Sequence, residues 1–444
     1  MAGTLWGTPL VILLIGGGIF FTIYSRLVPF FYFKHGIQVL SGKYDSKNDP
    51  GQISHFQALA SALASTVGMG NIAGVAIAIH MGGPGSIFWM WITAIIGMST
   101  KFFTCTLAVM YRGRDDTGEI QGGAMYFIEE GLGPKFKPLA KMFAISGLVG
   151  SLTFFQANQL TSVVTNFIYK PYGIFNNAPM FGNLVTGLVI ALIVGIVIFG
   201  GIKRISNVAS KMVPFMVALY LLGAILIILK NSDKIFPVFN LIFSDAFSGN
   251  AIQGGTLGSM IIIGVRRGLF SNEAGTGTET MAHGAVKTKE PIREGLVAML
   301  GPFIDTLIVC TITALVILIS GVYQNGETGV KLTIDSFNKE LGLMGELLLI
   351  VAAITFAIST MFGYAYYGRK CTSYLFGSKA KTAHSWFYVS SIIISAMIKL
   401  DLVLNIVDSA FALMIIPTMI ATILLSPKVL KESKKYFSSF DNSK

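Results

Sequence analysis

The sequence predicts an all-α protein that crosses a membrane many times. Of its 444 residues, 53% are hydrophobic and only 12% are charged, whereas a soluble globular domain has roughly 25% charged residues. Several apolar stretches reach about 20 residues, the length that an α-helix needs to cross a hydrocarbon core of about 30 Å. The mean hydropathy of +0.68 agrees with this interpretation. A water-soluble enzyme or a nucleic-acid-binding protein is therefore not expected.

Eleven transmembrane helices are predicted from apolar runs that end at Gly, Pro or charged loops. They lie near 6–30, 54–80, 84–111, 139–169, 181–200, 208–230, 250–285 (interrupted), 295–323, 346–376, 385–400 and 402–426. No linker or low-complexity tract separates them. We therefore expect one membrane domain over residues 1–444, with a cytoplasmic tail at 427–444.

The distribution of basic residues predicts the orientation of the chain. The net charge is +11, and 23 of the 33 Lys and Arg residues fall in loops on one predicted side, against 6 on the other. Basic loops are usually cytoplasmic. With eleven spans, this places the C-terminus in the cytoplasm and the N-terminus outside the cell membrane. The three widely spaced cysteines indicate neither a metal cluster nor a disulfide framework.

The second predicted helix is interrupted near its middle. Residues 64–74 include three glycines, each costing about 1 kcal/mol relative to alanine in a helix. Unwound backbone at membrane depth is tolerated where it lines an enclosed or watery cavity. There, its carbonyls can coordinate a cation and its N–H groups can hold a carboxylate. One alternative is close packing of small residues. Another is the G-x-G-x-x-A nucleotide fingerprint, which needs a preceding strand.

The seventh predicted helix contains residues that are costly inside a membrane. Arg266, Arg267 and Glu273 lie in its middle, and such residues usually mark a functional or water-accessible site. We expect two half-helices that meet between Phe270 and Glu273, because the Ser and Asn there can cap a new half-helix. Alternatively, both arginines lie at the cytoplasmic interface and the helix ends there.

The two interrupted helices occupy matching positions in the chain. Each opens a block of five helices, at 54–230 and at 250–426. Interrupted helices at corresponding positions of two halves are typical of inverted-repeat transporters, whose binding site lies between the repeats. The repeat is inferred from position, since the two halves show no visible sequence identity.

Seven strings of the sequence resemble the prokaryotic family of sodium- or proton-coupled alanine/glycine symporters. They are SHFQALASALASTVGMGNIAGVA (54–76), GGPGSIFWMWITAIIGMSTK (82–101), GGAMYFIEEGL (122–132), GGIKRI (200–205), VRRGLFSNEAGTG (265–277), DTLIVCTITALV (305–316) and YYGRKC (366–371). The resemblance covers nearly the whole chain. It implies a LeuT-type fold, in which a 5+5 inverted repeat follows one extra N-terminal helix at 6–30.

The resemblance also implies which residues bind the amino acid and the coupling ion. The substrate-binding residues would be Thr66, Gly70, Asn71, Gln159, Phe270, Ser271, Asn272 and Glu273. By the wider LeuT-type pattern, sodium would bind the carbonyls of Ala64 and Val67 and the hydroxyls of Ser359 and Thr360. The Ser-Thr pair by itself is weak evidence, because Ser and Thr also cap and pack membrane helices.

Several positions depart from the family pattern in ways that would reshape the pocket. Met69 stands where a threonine is common, and Ile263, before Gly264, stands where a tryptophan is common. The stretch that begins at Thr153 lacks the usual glycine before the fourth-helix glutamine. One methylene in such a pocket is worth about 1–3 kcal/mol. Alanine or glycine is the expected substrate, and serine or glutamine are alternatives.

The expected function is therefore symport of a small neutral amino acid with sodium by alternating access. A proton-coupled or uncoupled transporter and an amino-acid-binding membrane sensor are the alternatives. No catalytic arrangement is visible, so an enzyme is not expected, and sodium is the coupling ion with no covalent cofactor. Asp305 and Lys101 also lie within predicted spans, where they are costly unless paired.

Overall fold

The apolar runs fold into α-helices, because a helix satisfies all of its backbone hydrogen bonds within itself in a membrane. The computed structural model describes residues 5–46, 48–248 and 257–441. The first half contains α1 (Thr8–Tyr24), α2 (Val28–Phe31), α3 (Phe33–Leu40), α4 (His55–Thr66), α5 (Val75–Gly82), α6 (Ser86–Met110), α7 (Ala124–Leu132), α8 (Lys137–Gly150), α9 (Phe154–Val164), α10 (Pro179–Ile198) and α11 (Gly201–Lys230). The second half contains α12 (Ser232–Ser248), α13 (Leu257–Asn272), α14 (Thr280–His283), α15 (Pro291–Ala298), α16 (Leu300–Pro302), α17 (Thr311–Ser320), α18 (Gly329–Leu341), α19 (Leu343–Phe376), α20 (Ala380–Met397) and α21 (Leu400–Asp441).

Several turns deviate from α-helical geometry. Wider π-helical turns occur at Gly70–Gly74, Thr165–Tyr169 and Phe303–Cys310, and 3₁₀ turns at Pro134–Phe136 and Val322–Asn325. Two of the π-helical turns lie within predicted membrane spans next to the candidate site described below. Such turns are often found at functional sites.

Among the described residues, seven helical segments are long and apolar enough to cross a membrane. They are Ser86–Met110, Pro134–Tyr169, Pro179–Ile198, Gly201–Lys230, Pro291–Ser320, Leu343–Phe376 and Leu400–Phe440. The pair His55–Thr66 and Gly70–Gly82, bent by 50°, makes an eighth. The multi-pass, all-helical class is confirmed, whereas the count of eleven stays a prediction.

The other three predicted spans correspond to shorter helices. They are α1, α13 and α20, of 17, 16 and 18 residues. The first was expected over 6–30 but ends at Tyr24, because Arg26 and Leu27 take positive φ angles of 55° and 62°. Such left-handed conformations are uncommon for residues other than glycine and break a helix. The seventh span was expected from residue 250, and residues 249–256 lie outside the described part of the chain.

Four helices of eight or more residues form where the sequence analysis expected loops. They are α3, α7, α12 and α18. Each combines apolar and polar residues, so its mean hydropathy is modest and a search for long apolar runs does not detect it. The helical period of the apolar residues is the signal that marks such amphipathic helices.

Glycines allow α6 to pack closely against α13 and α15. A Cβ at Gly264 would lie 2.5 Å from the Ser86 carbonyl oxygen, and a Cβ at Gly295 would lie 2.7 Å from the Phe102 carbonyl oxygen and 2.1 Å from Thr106 Oγ1. Small residues commonly permit such close approach in membrane proteins. Backbone contacts therefore fix the positions of α13 and α15 against α6.

A short antiparallel hairpin, β1 (Gly113–Arg114) and β2 (Ile120–Gln121), follows α6. Its Asp115 accepts hydrogen bonds from Lys381 Nζ at 2.8 Å and from Thr117 Oγ1 at 2.6 Å. Burial raises the pKa of Asp115, but the hydrogen bonds from Lys381, Thr117 and the Glu119 amide, together with the Lys381 charge, hold it well below its usual value. The hairpin is thus tied to the start of α20 at neutral pH.

Gly295→Ala is expected to destabilise the fold, because the new methyl group must displace backbone of α6. Overpacking of this kind costs about 1–3 kcal/mol. Gly16→Ala is the matched control, since its Cβ would meet no described atom within 4 Å apart from its own stretch of helix, and it should be neutral or stabilising by up to about 1 kcal/mol. Thermal unfolding in detergent measures both. An unchanged melting temperature for Gly295→Ala would contradict the packing described here.

Candidate functional site

Asn71 fixes the break in the second predicted span. Its Oδ1 accepts the Gly68 amide hydrogen at 2.8 Å, and that amide would bond the Ala64 carbonyl in an unbroken helix. Val67 leaves helical geometry, with ψ of 91°. The Ala64 carbonyl therefore loses its usual helical partner. This specific side-chain bond, together with the glycines, ends α4 at Thr66.

The same Asn71 side chain crosses to a buried carboxylate. Its Nδ2 donates to Asp305 Oδ1 at 2.7 Å and to the Asp305 carbonyl at 3.0 Å. Asp305 Oδ2 also accepts hydrogen bonds from Ser271 Oγ and Thr306 Oγ1, each at 2.7 Å. Asn71, Ser271, Asp305 and Thr306 form a set that we call the Asp305 cluster. All four are fully buried, and the cluster joins the break to α13 and to the π-helical turn at 303–310.

The break in the seventh predicted span lies later than the sequence analysis expected. Helix α13 continues through Phe270 to Asn272, and Glu273 then takes a φ of +55°. Asn272 Oδ1 accepts the Ala274 amide hydrogen at 3.0 Å, so it closes the end of α13 and does not begin a new helix. The expectation that two half-helices meet between Phe270 and Glu273 is wrong. The non-helical segment is 273–279, and α14 follows it.

Glu273 is held in its unusual conformation by its own segment. Its amide still bonds the Leu269 carbonyl at 2.8 Å, and its buried carboxylate accepts a hydrogen bond from Thr278 Oγ1 at 2.5 Å. Buried polar groups are costly unless they are hydrogen-bonded. The bond to Thr278 therefore stabilises both the carboxylate and the fold of the 273–279 segment.

One of the two predicted sodium-binding hydroxyls, that of Thr360, lies against the break in the second span. Ser359 and Thr360 are buried, and their hydroxyls donate to the Phe356 carbonyl at 2.9 and 3.0 Å. A Cβ at Gly68 would lie 2.0 Å from Thr360 Oγ1. The break thus packs directly onto α19, with a hydroxyl oxygen next to unwound backbone. Hydroxyl and carbonyl oxygens are hard ligands of the kind that suit an alkali-metal ion.

Phe270 forms an aromatic wall beside the break. Its ring centroid lies 5.0 Å from that of Phe155 in α9 and 5.7 Å from that of Phe411 in α21. A Cβ at Gly70 would lie 3.5 Å from the Phe270 ring, which is ordinary van der Waals distance. Phe270, expected to contact substrate, therefore lies where four elements meet.

Gln159 is buried beside the aromatic wall, and its polar atoms are hydrogen-bonded within the protein. Its Oε1 accepts the Val330 amide hydrogen at 3.2 Å, and its Nε2 donates to Asn158 Oδ1 at 3.2 Å. Thr333 in the same helix, α18, donates to the Ile72 carbonyl at 3.0 Å. Helix α18 thus covers the break, and Gln159 anchors its first turn.

The residues expected to shape the pocket are dispersed. Met69 is fully buried at the break, and Thr153 is buried just before α9. Ile263 instead lines a separate 360 Å³ cavity, and Gly264 packs on Ser86. The structure therefore brings Met69 to the site, whereas Ile263 and Gly264 lie beside α6, more than one turn before Phe270.

A charged cluster that the sequence analysis left unassigned lies along the same cavity. Arg266 and Arg267 both donate to Asp408 Oδ2 in α21, the second at 2.6 Å. The Trp6 indole donates to the Asp408 carbonyl at 2.8 Å, and the Arg267 guanidinium lies 5.2 Å from the Phe270 ring centroid. The arginines are thus paired within the protein, next to the aromatic wall. Their need for a partner was visible in the sequence, but its identity was not.

A second network ties together the far ends of the two broken spans. The Glu294 carboxylate in α15 contacts His55 Nδ1 and His283 Nδ1, each at 2.5 Å, and all three residues are buried. His55 is the first residue of α4, and His283 is the last residue of α14. One carboxylate therefore joins the start of one broken span to the end of the other.

Arg112 reinforces this junction. Its guanidinium donates to four backbone carbonyls, those of Pro50, Gly284, Val286 and Thr288, at 2.5–3.3 Å. Burial lowers the pKa of Arg112 to about 10, and the nearby Glu294 charge opposes this shift, so the side chain stays charged at neutral pH. The residues His55, Arg112, His283 and Glu294 are called the clasp below.

The model of the sodium:alanine symporter family matches residues 1–444. The chain belongs to this family. The resemblance seen in the sequence is thereby confirmed, and the protein is a membrane transporter with no enzymatic role indicated.

Similar proteins cover nearly the whole symporter. The chain is 41% identical over 441 residues to a sodium/alanine symporter of Methanococcus maripaludis, covering 97% of this chain and 94% of that one. It is 35% identical over 434 residues to a probable sodium/glutamine symporter of Bacillus subtilis, covering 97% and 88%. The crystal structure of MhsT in complex with L-phenylalanine aligns with a TM-score of 0.61 at 15% identity, covering 86% and 92%. This last likeness confirms the LeuT-type fold.

Arg112→Gln is expected to loosen the clasp of this symporter. The Lys287 and Thr288 amides, which bond the Ile53 and Pro50 carbonyls at 2.7 and 3.2 Å, should exchange hydrogen about tenfold faster or more, because hydrogen bonds to a charged group contribute about 1.5–3 kcal/mol. Hydrogen–deuterium exchange measures this. Arg114→Gln is the control, since among the described residues Arg114 donates to the Gly118 carbonyl of its own loop and to no residue of the clasp. Equal exchange in both variants would contradict the role of Arg112.

Proposed function

We propose that this symporter couples sodium influx to the uptake of a small neutral amino acid, alanine or glycine, by alternating access. The observation that carries the proposal is the contact between the Gly68 break and Thr360. It brings backbone that has left the helix against the buried Thr360 hydroxyl, within a chain of the sodium:alanine symporter family. The relative from Methanococcus maripaludis, described as a sodium/alanine symporter, supports the same substrate.

Sodium is proposed to bind between α4 and α19. Its ligands would be the carbonyls of Ala64 and Val67 and the hydroxyls of Ser359 and Thr360. The bond from Gly68 to Asn71 supports this assignment, because it removes the helical partner of the Ala64 carbonyl. An ion in this place would stabilise the break on which the amino acid also depends. Each ligand would then strengthen binding of the other by the same factor.

The amino acid is proposed to bind beside Gly70, against the Phe270 ring, with Thr66 and Gln159 at the edge of the pocket. Its carboxylate would meet free N–H groups of the break. Asn71 and Ser271 act through the Asp305 cluster, since their side chains are hydrogen-bonded to Asp305. Asn272 and Glu273 shape the end of α13.

Glutamine is the second candidate substrate, because the chain is 35% identical to a probable sodium/glutamine symporter. The buried side chains of Met69 and Phe270 favour the smaller amino acids, since both occupy space beside the break. Competition between labelled alanine and unlabelled glutamine distinguishes the two candidates.

For the architecture, we propose a 5+5 inverted repeat after α1, with the N-terminus outside and the C-terminus in the cytoplasm. The clasp would then lie on the cytoplasmic side, where basic residues are concentrated. The ion pairs of Arg266 and Arg267 with Asp408 would lie on the outer side. Alternating access would open one end while the other stays closed. Each inward sodium gains about 2.3 kcal/mol per 100 mV of membrane potential.

Uptake into proteoliposomes tests the proposed coupling. An inward sodium gradient should drive accumulation of labelled alanine, and Thr360→Val should lower the apparent sodium affinity by roughly 10- to 100-fold, as when partners in a metal site are lost. Thr355→Val is the matched control, because Thr355 lies on the same helix and, within the described part of the chain, its hydroxyl bonds carbonyls of that helix alone. Alanine accumulation without sodium dependence in the wild type would refute symport. Equal sodium affinity in both variants would refute only the proposed sodium ligand.

Gly70→Ala tests the position of the amino acid. The added methyl group fits against the Phe270 ring at 3.5 Å, so the fold should be retained while the binding space shrinks. The affinity of this variant for alanine is expected to fall by roughly tenfold or more relative to its affinity for glycine, since one methylene in a pocket is worth about 1–3 kcal/mol. Competition uptake with the two amino acids measures this ratio. An unchanged ratio would place the substrate elsewhere.

A further inference from the structure

A cavity of about 620 Å³ lies along the exposed face of α11, outside the candidate site. Lys203, Asn207 and Lys211 follow one another at intervals of four residues, so they lie on one face of the helix, and Arg204 adds a third cation. All four side chains are exposed and line the cavity. Among the described residues, no acidic side chain contributes to its lining.

The three cations of this cavity are unpaired within the described part of the chain. Other basic residues on the same predicted side have partners: Lys137 pairs with Glu129 and Lys381 with Asp115, each at 2.8 Å. Lys203, Arg204 and Lys211 make no ion pair among the described residues. The cavity therefore has a strong positive potential that a bound anion would neutralise.

The far end of the same face is apolar. Met212 and Phe215 line the cavity beyond Lys211, and Phe215 is 61% exposed. Two turns later along this membrane-spanning helix, Leu222 is 60% exposed. Exposed apolar side chains on a spanning helix face lipid chains. A molecule that fills this cavity thus meets three cations at one end and a lipid-facing surface at the other.

We propose that this cavity is a binding site for an anionic phospholipid. Its phosphate would contact Lys203, Arg204 and Lys211, Asn207 would contact headgroup hydroxyls, and the acyl chains would lie along Met212 and Phe215. Basic pockets at the cytoplasmic end of spanning helices bind such headgroups. A soluble anion satisfies only the charged end, so the apolar end selects a lipid.

The site adjoins the first broken span. Asn207 Oδ1 accepts a hydrogen bond from Gln57 Nε2 at 3.0 Å, and Gln57 also forms the capping box of α4 with Ser54. A headgroup bound at Asn207 therefore lies one hydrogen bond away from the residues that begin α4.

Quenching of tryptophan fluorescence by brominated phosphatidylglycerol tests the site in the full-length protein in uncharged detergent. Trp386 is a suitable reporter, because it is 62% exposed and its ring lies 5.0 Å from that of Phe199, next to Gly200 of the cavity. The Lys203→Gln/Arg204→Gln/Lys211→Gln variant should bind this lipid on the order of 100-fold more weakly, at about fivefold for each cation removed. The Trp386→Phe variant identifies the part of the quenching signal that comes from Trp386.

The control removes the same charge elsewhere, at three exposed lysines: Lys135→Gln/Lys431→Gln/Lys434→Gln. It should bind as the wild type does, and so should Lys203→Arg/Lys211→Arg, which keeps the charge. Brominated phosphatidylcholine should quench only weakly, and inorganic phosphate should not displace phosphatidylglycerol. Equal loss in both triple variants, equal quenching by the two lipids, or displacement by phosphate would each overturn the proposal. None of these outcomes depends on transport.

Discussion

The hydrogen bonds of the Asn71 side chain are the constraint on which the centre of this symporter depends. One amide group ends α4 by taking the Gly68 N–H and fixes the position of the break by donating to Asp305. Ser271 and Thr306 donate to the same carboxylate, so a single buried acid orients two spans and a π-helical turn. A buried polar group without a hydrogen-bond partner costs several kcal/mol in lipid. Because each of these elements supplies partners to the others, the break, the end of α13 and the turn at 303–310 stabilise one another. The proposed sodium ligands and the aromatic wall take their positions from this arrangement.

Two charged networks, which the proposed topology places towards opposite ends of the molecule, are held by a different kind of interaction. At one end, Glu294 is shared by two histidines and Arg112 binds four carbonyls. At the other, two arginines share Asp408. Removing one partner of a buried ion pair costs about 3–5 kcal/mol, so neither network opens without compensation. In the proposed alternating access, such a threshold would keep each network closed in turn, whereas the centre, built from neutral donors around Asp305, would keep its geometry. The binding energy of sodium and the amino acid would act on the ends through the broken helices that connect them to the centre.

The sequence analysis predicted the elements that have local signals. Long apolar runs predicted most spans, and the glycines around Gly68 predicted the first break. The second break was placed one turn too early, because a Ser-Asn pair favours a helix start as well as an end, and only the +55° φ of Glu273 decides between them. Amphipathic helices such as α18 were missed because their mean hydropathy is low. The Asp305 cluster and the clasp could not be predicted, since the partners of Asp305 and Glu294 lie up to 239 residues apart in the chain. A lone buried acid signals that a partner exists but not where it is.

The burial of acidic residues in these networks affects which surface cations can find a protein partner. Of the acidic side chains, Asp305, Glu273 and Glu294 are buried in the centre or the clasp, so they cannot neutralise basic residues at the surface. The guanidinium of Arg112 also makes its hydrogen bonds within the protein, to backbone carbonyls. The side where basic residues concentrate therefore has surface cations without an ion-pair partner among the described residues, and Lys203, Arg204 and Lys211 are three of them. At the proposed lipid site, anionic headgroups of the membrane would neutralise these cations. The net charge of +11 counts buried and exposed carboxylates alike. Burial of carboxylates does not create this charge, but it leaves fewer acidic side chains at the surface to pair with cations such as Lys203, Arg204 and Lys211.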